Sequence, residues 1–331
     1  METYTVVAGD TLSKIAKKFY GDGNLFRIIA AANGIDDPNV ISIGQVLVIP
    51  PLGEEPQETP VPNMVETKAR TLSINCRNKT NPKDQVFPSR RWSKRLPQLV
   101  KLIQNAGASV VGTQECRNDM AVDITNGLGA QWTFWGDGTS KVLWDSNEWN
   151  VLDQFQAGLP YTERLGVTRN RPITMVWLQS VATGGRCWFV STHLVVHKPN
   201  EAAMRLAQAK EAIRLIGERP EHEHVVVFGD FNDVQHDSAT VAVRKVFATA
   251  GYNHLRARLS DEAMDGDRLN SFNGWKPTKR DGRWLDDILT SKAVEPHAGE
   301  LMVTDRTKFP VYASDHNGVL ARVSFLDEVG V

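Results

Sequence analysis

Residues 51–68, PLGEEPQETPVPNMVETK, constrain the fold of this chain more than any other segment. They contain four prolines and four glutamates and few large apolar side chains. A stretch of this composition cannot bury enough apolar surface to fold, and its prolines hold the backbone extended. We therefore interpret it as a linker. It predicts a small domain over residues 1–50 and a large domain over residues 69–331.

The small domain has the order strand, helix, helix, strand. Tyr4 and Val6 alternate in a first strand, and Thr11 precedes an apolar repeat at helical spacing as its N-cap. A second helix fits residues 25–32, and a short β run follows over residues 46–49. The pattern predicts a small βααβ module.

This module resembles a LysM domain over its whole length. The matching stretches are YTVVAGDTLSKIAKKFYGD, IIAAANGI and IGQVLVIP, which follow one another in that order. The resemblance implies binding of N-acetylglucosamine-containing glycans, usually peptidoglycan or chitin. The alternative is a docking module in a larger assembly, such as a phage tail or virion. Glycan binding would fall to two loops, whose residues are Gly9, Asp10, Thr11, Asn33, Gly34 and Ile35.

The large domain alternates strands and helices. Long strand runs with few helices between them favour two packed sheets flanked by helices, which is a four-layer α/β/β/α sandwich, over a single doubly wound sheet. The predicted strands are 71–75, 109–113, 141–144, 174–179, 187–191, 225–228 and 318–323, and the predicted helices are 91–106 and 201–217.

Several of these apolar strands run into charged or amide side chains. A buried carboxylate without a partner costs several kcal/mol. One such strand end does not indicate a site, but five together do. Taken singly, each has an ordinary structural role, for example Asn75 in a turn, His193 as a satisfied histidine or Asp230 as a turn cap. The set comprises Asn75, Glu115, His193, Asp230, Asn232, Asp315 and His316.

The residue types fit a hard divalent cation and a phosphodiester. Mg²⁺ takes oxygen ligands, commonly one or two carboxylates with water and substrate phosphate, and Glu115 and Asp315 supply such oxygens. Zinc is disfavoured because no His and Cys residues have zinc-site spacing. A histidine beside an acid serves as a general base, and Asp286 is placed to orient His316.

Ordered motifs across the large domain carry a second resemblance. SINCRN, VVGTQE, STHL, VFGDFN and SDH look like the endonuclease/exonuclease/phosphatase superfamily, which has the deoxyribonuclease-I-like fold. SFNGWK and DDIL resemble further segments of that family. The resemblance covers nearly the whole large domain. It implies a metal-dependent phosphodiesterase with Mg²⁺, or Mn²⁺, as its cofactor.

The resemblance implies a metal side and a phosphate side of the site. On the metal side, Glu115 binds the ion and Asp315 lies beside it. Asn75 lies against the scissile phosphate or the metal-bound water. Arg171 matches a position where several members place a basic residue on the phosphate, although an exposed rim arginine fits that pattern equally well.

The remaining roles concern the water and its proton. The resemblance implies that His193 donates to a phosphate oxygen. Asp230 and Asn232 position the nucleophilic water, and Asp286 orients His316.

Three departures from the family pattern bear on these roles. Abasic-site endonucleases carry a tyrosine where this chain has His193, which favours the general nuclease and sphingomyelinase side. Asp287 replaces the usual aromatic residue after the orienting aspartate, so Asp286 and Asp287 are interchangeable on the sequence alone. No acid to pair with the histidine is evident in Gly136–Lys141.

Local charge and aromatic patterning favours nucleic acid as the substrate. The net charge is −1, so any grip on phosphates must come from local patches. One patch is 89–95, with four basic residues around Trp92, and another is 275–284, with four basic residues between two tryptophans. Basic side chains contact phosphates and aromatic rings stack on bases. Solvated charge runs around a packed tryptophan are the structural alternative.

Three hypotheses therefore remain. The first is a nuclease held at cell-wall glycan by its LysM module. The second is a phosphatase or lipid phosphodiesterase of the same fold, and the third is a phage assembly protein with a vestigial catalytic domain. No apolar run is long enough for a membrane span, and the first residues lack a signal-peptide pattern. We expect synthesis in a cytoplasm and a cell-wall or virion location.

Overall fold

The structure is a computed structural model. It describes residues 2–52, 64–162, 168–196, 201–232, 241–255, 264–265, 271–275, 284–302 and 312–328. The chain forms two compact units, Met1–Pro62 and Asn63–Val331.

The small unit is a two-stranded sheet with two helices. Strand β1 (Glu2–Thr5) pairs antiparallel with β2 (Val46–Ile49), and helices α1 (Leu12–Tyr20) and α2 (Phe26–Ala32) lie between them in sequence. The Thr11 hydroxyl accepts a hydrogen bond from Lys14 N at 3.2 Å and caps α1, as predicted. The βααβ order is confirmed.

The large unit contains two mixed sheets. The first has seven strands in the order β12-β14-β15-β3-β4-β6-β5. Its strands are β3 (Met64–Asn75), β4 (Val110–Gln114), β5 (Trp132–Trp135), β6 (Lys141–Asp145), β12 (Met264–Asp265), β14 (Val294–Met302) and β15 (Gly318–Glu328).

The second sheet has six strands in the order β11-β13-β10-β9-β8-β7. Its strands are β7 (Trp149–Thr162), β8 (Thr168–Ser180), β9 (Arg186–His193), β10 (Val225–Asp230), β11 (Tyr252–His254) and β13 (Asp286–Ser291). The helices of this unit are α3 (Pro82–Gln85), α4 (Trp92–Ala106), α5 (Asn118–Leu128), α6 (Ala202–Gly217) and α7 (Val241–Thr249).

Three apolar clusters divide the unit into layers. One cluster, which includes Val110 and Phe228, fills the space between the sheets. A second joins the seven-stranded sheet to α4 and α5, and a third joins the six-stranded sheet to α6 and α7. A Cβ at Gly112 would lie 2.2 Å from the Phe228 side chain, so only glycine permits the sheets to approach there. The predicted four-layer α/β/β/α sandwich is confirmed.

The first strand of the large unit begins earlier than the sequence predicted. Strand β3 starts at Met64 and pairs with β15 as far as Glu328, so residues 64–68 of the predicted linker lie in a strand. Thr67 is buried while Glu66 and Lys68 are exposed, which is the alternation of a strand with one solvated face. Composition alone did not indicate this part of strand β3, because its outward-facing residues are charged.

The three cysteines, Cys76, Cys116 and Cys187, are all free thiols and all buried. None of the described helices is both long enough and apolar enough to span a membrane.

Candidate active site

The predicted site residues meet because of the sheet topology. Strands β3 and β4 are parallel neighbours, as are β9 and β10, so Asn75, Glu115, His193 and Asp230 end at the same edge of the sandwich. Strand β13 runs antiparallel to β10 and begins there, with Asp286 opposite Asp230. The antiparallel β15 likewise begins beside the end of β3, just after Asp315 and His316.

Asp286, and not Asp287, contacts the histidine that precedes β15. The distance from His316 Nδ1 to Asp286 Oδ2 is 2.7 Å, and both residues are buried. Asp287 lies near Arg244 and His254 instead, with its Oδ2 3.3 Å from Arg244 Nε. Successive strand residues face opposite sides, so one of the two aspartates must turn away from the site.

His316 is a strongly basic imidazole. Burial disfavours its charged form, but the carboxylates of Asp286, Asp230 and Asp315 outweigh burial and raise the pKa of His316 to about 10. Its Nε2 lies 4.0 Å from Asp230 Oδ2, so the ring stands between two aspartates. The Phe272 ring packs edge-on against it at 5.1 Å between centroids.

His193 is held differently. Burial lowers its pKa, against the effect of the nearby Asp230. The distance from Arg171 Nη1 to His193 Nδ1 is 3.3 Å, and because a guanidinium only donates, Nδ1 is the acceptor. The proton of the neutral ring therefore resides on Nε2, which points toward Asp230 Oδ2 at 3.4 Å. This tautomer leaves an N–H donor facing the site.

The amide of Asn75 presents its nitrogen to the site. Its Nδ2 donates to Asp230 Oδ2 at 3.0 Å and lies 3.4 Å from Glu115 Oε1. Its Oδ1 accepts from the backbone N–H of Arg77 at 2.9 Å. In this orientation Asn75 suits donation to a phosphate or a water better than metal ligation, since metals bind the amide oxygen.

Two backbone conformations at the site are uncommon for their residues. Glu115 has a φ of 52° and Asn232 a φ of 49°, both in the left-handed region. For a residue other than glycine this conformation costs about 1 kcal/mol or more, and it is concentrated at functional sites. Asn232 N donates to Asp230 Oδ1 at 3.0 Å, and its Nδ2 donates to Leu194 O.

Arg77 is a site residue that the sequence interpretation missed. Its Nη1 lies 3.2 Å from Asp315 Oδ2, and its Nε donates to Asp84 Oδ2 at 2.7 Å. It also has a left-handed φ, of 53°. Its place two residues after Asn75, in SINCRN, was the available signal.

The donor set fits a divalent cation. Three buried acids and one half-buried acid, Glu115, meet here against two cations, and Asp286 Oδ1 is a buried oxygen with no hydrogen-bond partner within the described residues. Ligand atoms of Asp230, Asp286 and His316 lie within 4.8 Å of one another. Nδ1 of His316 and Oδ2 of Asp286 are already hydrogen-bonded to each other, so this trio has fewer free ligand atoms for an ion. The acids are Glu115, Asp230, Asp286 and Asp315, and the cations are Arg77 and His316.

Glu115 keeps its charge despite burial. Burial opposes its ionisation, but His193 and the backbone N–H of Asn78 lower its pKa below the ordinary value. That N–H donates to Glu115 Oε2 at 3.0 Å, while Oε1 has only the long contact to Asn75. Oε1 is therefore the oxygen with most capacity left for a cation.

A buried guanidinium ties the backbone around the site together. Arg95, on α4, is fully buried, and it donates to the carbonyl oxygens of Cys76, Arg77, Arg90 and Ala313 at 2.7–3.1 Å. The loop after β3 and the loop before β15 are thereby joined to one helix. An arginine on an amphipathic helix is ordinarily a surface residue, so no sequence pattern singled it out.

We expect Arg95→Ala to lower the free energy of unfolding of the large unit by about 3 kcal/mol, because it strands several buried carbonyls. All nine tryptophans lie in this unit, so their fluorescence in a urea titration measures it. The exposed neighbour Lys94 is the control, and Lys94→Ala should change the value by less than about 0.5 kcal/mol. Equal effects of the two variants would contradict this role.

Phe87, Arg90 and Trp275 form a surface beside the site, which we call the stacked patch. The Arg90 guanidinium lies 4.1 Å from the Phe87 ring centroid and 4.9 Å from that of Trp275. Arg90, from the predicted segment 89–95, thus contacts Trp275, from the predicted segment 275–284. The basic residues predicted at 276–283 lie outside the described residues.

The predicted glycan-binding residues lie in two loops of the small unit. Asp10 accepts from the Tyr4 hydroxyl and from Val7 N, both at 2.9 Å, and Thr11 caps α1. Ile35 is half-buried against the apolar core of the unit. Gly9 and Gly34 are exposed, and Asn33 is half-buried.

Asn33 has a structural function in the small unit. Its Nδ2 donates to Ile29 O and Val48 O, and its Oδ1 accepts from Val48 N, each at 2.8 Å. These bonds join α2 to β2. Its side chain is therefore already occupied by the protein.

We expect Asn33→Ala to destabilise the small unit by about 2 kcal/mol, because three backbone groups lose their partner. This unit has no tryptophan, so hydrogen exchange of its amides is the measurement. Asn24, which is exposed, is the control, and Asn24→Ala should leave exchange unchanged. Unaltered protection in Asn33→Ala would show that the bonds contribute little.

Two sequence models match the chain. A LysM domain model matches residues 4–50, and a model described as the endonuclease/exonuclease/phosphatase family matches residues 72–316. The curated relatives match a short part of the chain. An esterase of Mycobacterium tuberculosis H37Rv is 70% identical over 46 residues, which are 14% of this chain and 10% of the esterase. N-acetylmuramoyl-L-alanine amidase XlyA of Bacillus subtilis 168 is 41% identical over 64 residues, 19% of this chain and 20% of the amidase.

Solved structures resemble the large unit. An endonuclease/exonuclease/phosphatase family protein of Bacteroides thetaiotaomicron has a TM-score of 0.66 at 17% identity, covering 79% of this chain and 96% of that one. Its mannosyl-6-phosphatase scores 0.64 at 17% identity, covering 77% and 99%. TDP2 of D. rerio with a single-strand DNA product scores 0.60 at 18% identity, covering 78% and 99%. At these identities the likeness shows the fold alone.

Proposed function

This chain belongs to the endonuclease/exonuclease/phosphatase family, and from that premise we propose that its large unit is a divalent-metal-dependent phosphodiester hydrolase, an endonuclease acting on DNA or RNA. The observation that carries the proposal is the His316–Asp286 pair at 2.7 Å, facing Asp230 among the polar strand ends. Such a pair supplies an oriented imidazole beside a carboxylate, which hydrolysis by water requires.

In this proposal the proton of the attacking water is handled between His316 and Asp230. Asp286 fixes Nδ1 of His316, so Nε2 is the nitrogen that faces Asp230 and the reacting water. Asn232 holds the other oxygen of Asp230 through its backbone N–H. The water oxygen bonds to phosphorus as the bond to the ester oxygen breaks. Asp230 accepts the proton of the water, and His316, which carries a proton because its pKa is raised to about 10, donates one to the leaving oxygen.

Two donors then face the phosphate oxygens. His193 offers its Nε2–H, since its Nδ1 is held by Arg171, and Asn75 offers its Nδ2. Donors fixed in advance toward oxygens that gain charge stabilise the transition state. Arg171 serves through His193 and lies close enough to add positive charge.

Glu115 and Asp315 would hold the cation, Mg²⁺ or Mn²⁺. When bound, the cation neutralises charge on the phosphate oxygens and acts as a Lewis acid. Arg77 contacts Asp315 and limits repulsion between the acids of the site.

The stacked patch favours nucleic acid over a small phosphate monoester, because an arginine between aromatic rings suits a phosphate flanked by bases. The LysM module would hold the enzyme at N-acetylglucosamine-containing glycan such as peptidoglycan, in a cell wall or through a virion. Binding of the full chain to purified peptidoglycan, competed by chitin oligomers, tests that assignment.

The enzyme is tested with supercoiled plasmid, single-stranded DNA and RNA, each with Mg²⁺, Mn²⁺ or EDTA. Metal-dependent cleavage of any of them supports the nuclease. Turnover of bis-p-nitrophenyl phosphate without cleavage of nucleic acid would point to another phosphodiester, and turnover of phosphate monoesters alone to a phosphatase. If no phosphate ester is turned over, an assembly protein would be the remaining hypothesis for the chain.

A further inference from the structure

Arg90 is an arginine held in place before any ligand arrives. Its guanidinium carbon lies over the rings of Phe87 and Trp275, at 4.1 Å and 4.9 Å from their centroids. Its side chain is nevertheless 29% exposed, and the Phe87 ring is more exposed still. The guanidinium is thus packed on two rings, while part of the side chain reaches solvent.

The charge of Arg90 is poorly compensated. Within the described residues, its single ion-pair partner is Asp84, whose Oδ1 lies 3.9 Å from Arg90 Nη1. The other oxygen of Asp84 is engaged by Arg77 Nε at 2.7 Å. One carboxylate therefore serves two guanidiniums and lies nearer to Arg77. The five N–H groups of the Arg90 guanidinium donate no hydrogen bond to any described residue.

The stacked patch is connected to the catalytic centre on two sides. Asp84, which pairs with Arg90, also pairs with Arg77, and Arg77 pairs with Asp315. Arg90 is therefore linked to the acids of the site through Asp84 and Arg77. On the other side, Trp275 N donates to Asn273 Oδ1, and Asn273 N donates to the Asp315 carbonyl at 2.9 Å. Arg90 thus lies next to the site without belonging to it.

We propose that Arg90 forms a second phosphate subsite, which binds the phosphate adjacent to the scissile one in a polynucleotide. The inference rests on the proposed nuclease function and deepens it, because it makes a chain with consecutive phosphates the preferred substrate. A guanidinium binds phosphate through paired N–H donors. Stacking has already restricted its rotation, so binding loses little side-chain entropy.

The test varies the neighbouring phosphate and Arg90 together. The substrates are the dinucleotide TpT, which has one phosphodiester, and pTpT and TpTp, which add a terminal phosphate on either side. For the wild type we expect kcat/KM to rise about tenfold on one of the two additions, the value of a partly exposed charge-assisted hydrogen bond. Arg90→Ala and Arg90→Gln should abolish the gain, and Arg90→Lys should keep part of it.

A substrate without a neighbouring phosphate separates this role from a structural one. Turnover of TpT and of bis-p-nitrophenyl phosphate should be unchanged in Arg90→Ala. The exposed neighbour Arg91 is the matched control, and Arg91→Ala should keep the full gain. On oligothymidylate, the slope of log KM against log salt concentration should become shallower by about 0.7 in Arg90→Ala alone.

The outcomes separate the two proposals. Equal kcat/KM of the wild type for all three dinucleotides together with equal salt slopes would overturn the subsite and leave the nuclease standing. A loss in Arg90→Ala that is the same on TpT as on the phosphorylated dinucleotides would assign Arg90 a structural role instead. Failure of the wild type to cut any polynucleotide would reject the nuclease, and the subsite with it.

Discussion

Replacing His316 by alanine is expected to reduce phosphodiester hydrolysis by about 10³-fold, since proton transfer by a positioned side chain contributes about 10²–10⁴-fold. The ring lies between Asp286 and Asp230, with the Phe272 ring packed edge-on against it. We therefore expect the loss in kcat, with KM for oligonucleotide changed much less.

Asp286 and Asp287 provide a matched pair for the same test. Asp286→Asn removes the carboxylate that holds Nδ1 of His316, and we expect about a hundredfold loss of kcat. Asp287→Asn perturbs the Arg244 and His254 contacts on the other face of β13 and should affect stability, with kcat nearly unchanged. The converse result, with Asp287→Asn inactive and Asp286→Asn active, would contradict the assignment, as would activity of His316→Ala within tenfold of the wild type.

Replacing Glu115 by glutamine is expected to abolish metal-dependent cleavage, by about 10³-fold at metal concentrations that saturate the wild type. Glutamine keeps the shape and can keep the hydrogen bond from Asn78 N, so only the charge is lost. Calorimetric titration with Mn²⁺ should show much weaker binding, which measures the site independently of turnover. EDTA should reduce the wild type to the level of the variant.

An exposed glutamate is the control for this charge change. Glu148 lies on the surface just before β7, and Glu148→Gln should bind Mn²⁺ and cleave substrate as the wild type does. If Glu115→Gln binds Mn²⁺ normally and cleaves at the wild-type rate, the cation is held elsewhere. The Asp230, Asp286 and His316 trio would then be the next candidate.

The parts that the sequence predicted are those with a local pattern. An apolar run that stops at a polar side chain is visible without a structure, and the ends of parallel strands share an edge, which is why Asn75, Glu115 and Asp230 were found. The choice between Asp286 and Asp287 is not local. It depends on the register of β13 against β10, which no single segment encodes.

Other features were missed because the burial of a residue differs there from what its type suggests. Strand β7 has many polar outward side chains, and helix α5 contains a glycine, so neither shows a clean period. Arg95 and Arg77 are charged residues whose partners are backbone carbonyls or distant acids. Their roles become evident only when the loop after β3 and the loop before β15 are seen together.

The carbonyl contacts of Arg95 also bear on how this enzyme could acquire new specificities. One helix fixes the spacing between the β3 and β15 sides of the catalytic edge through backbone carbonyls. The residues that would read the substrate, such as Phe87 and Arg90, come just before that helix and are at least partly exposed. Directed evolution of these residues should therefore change which phosphate ester is accepted without having to rebuild the chemistry.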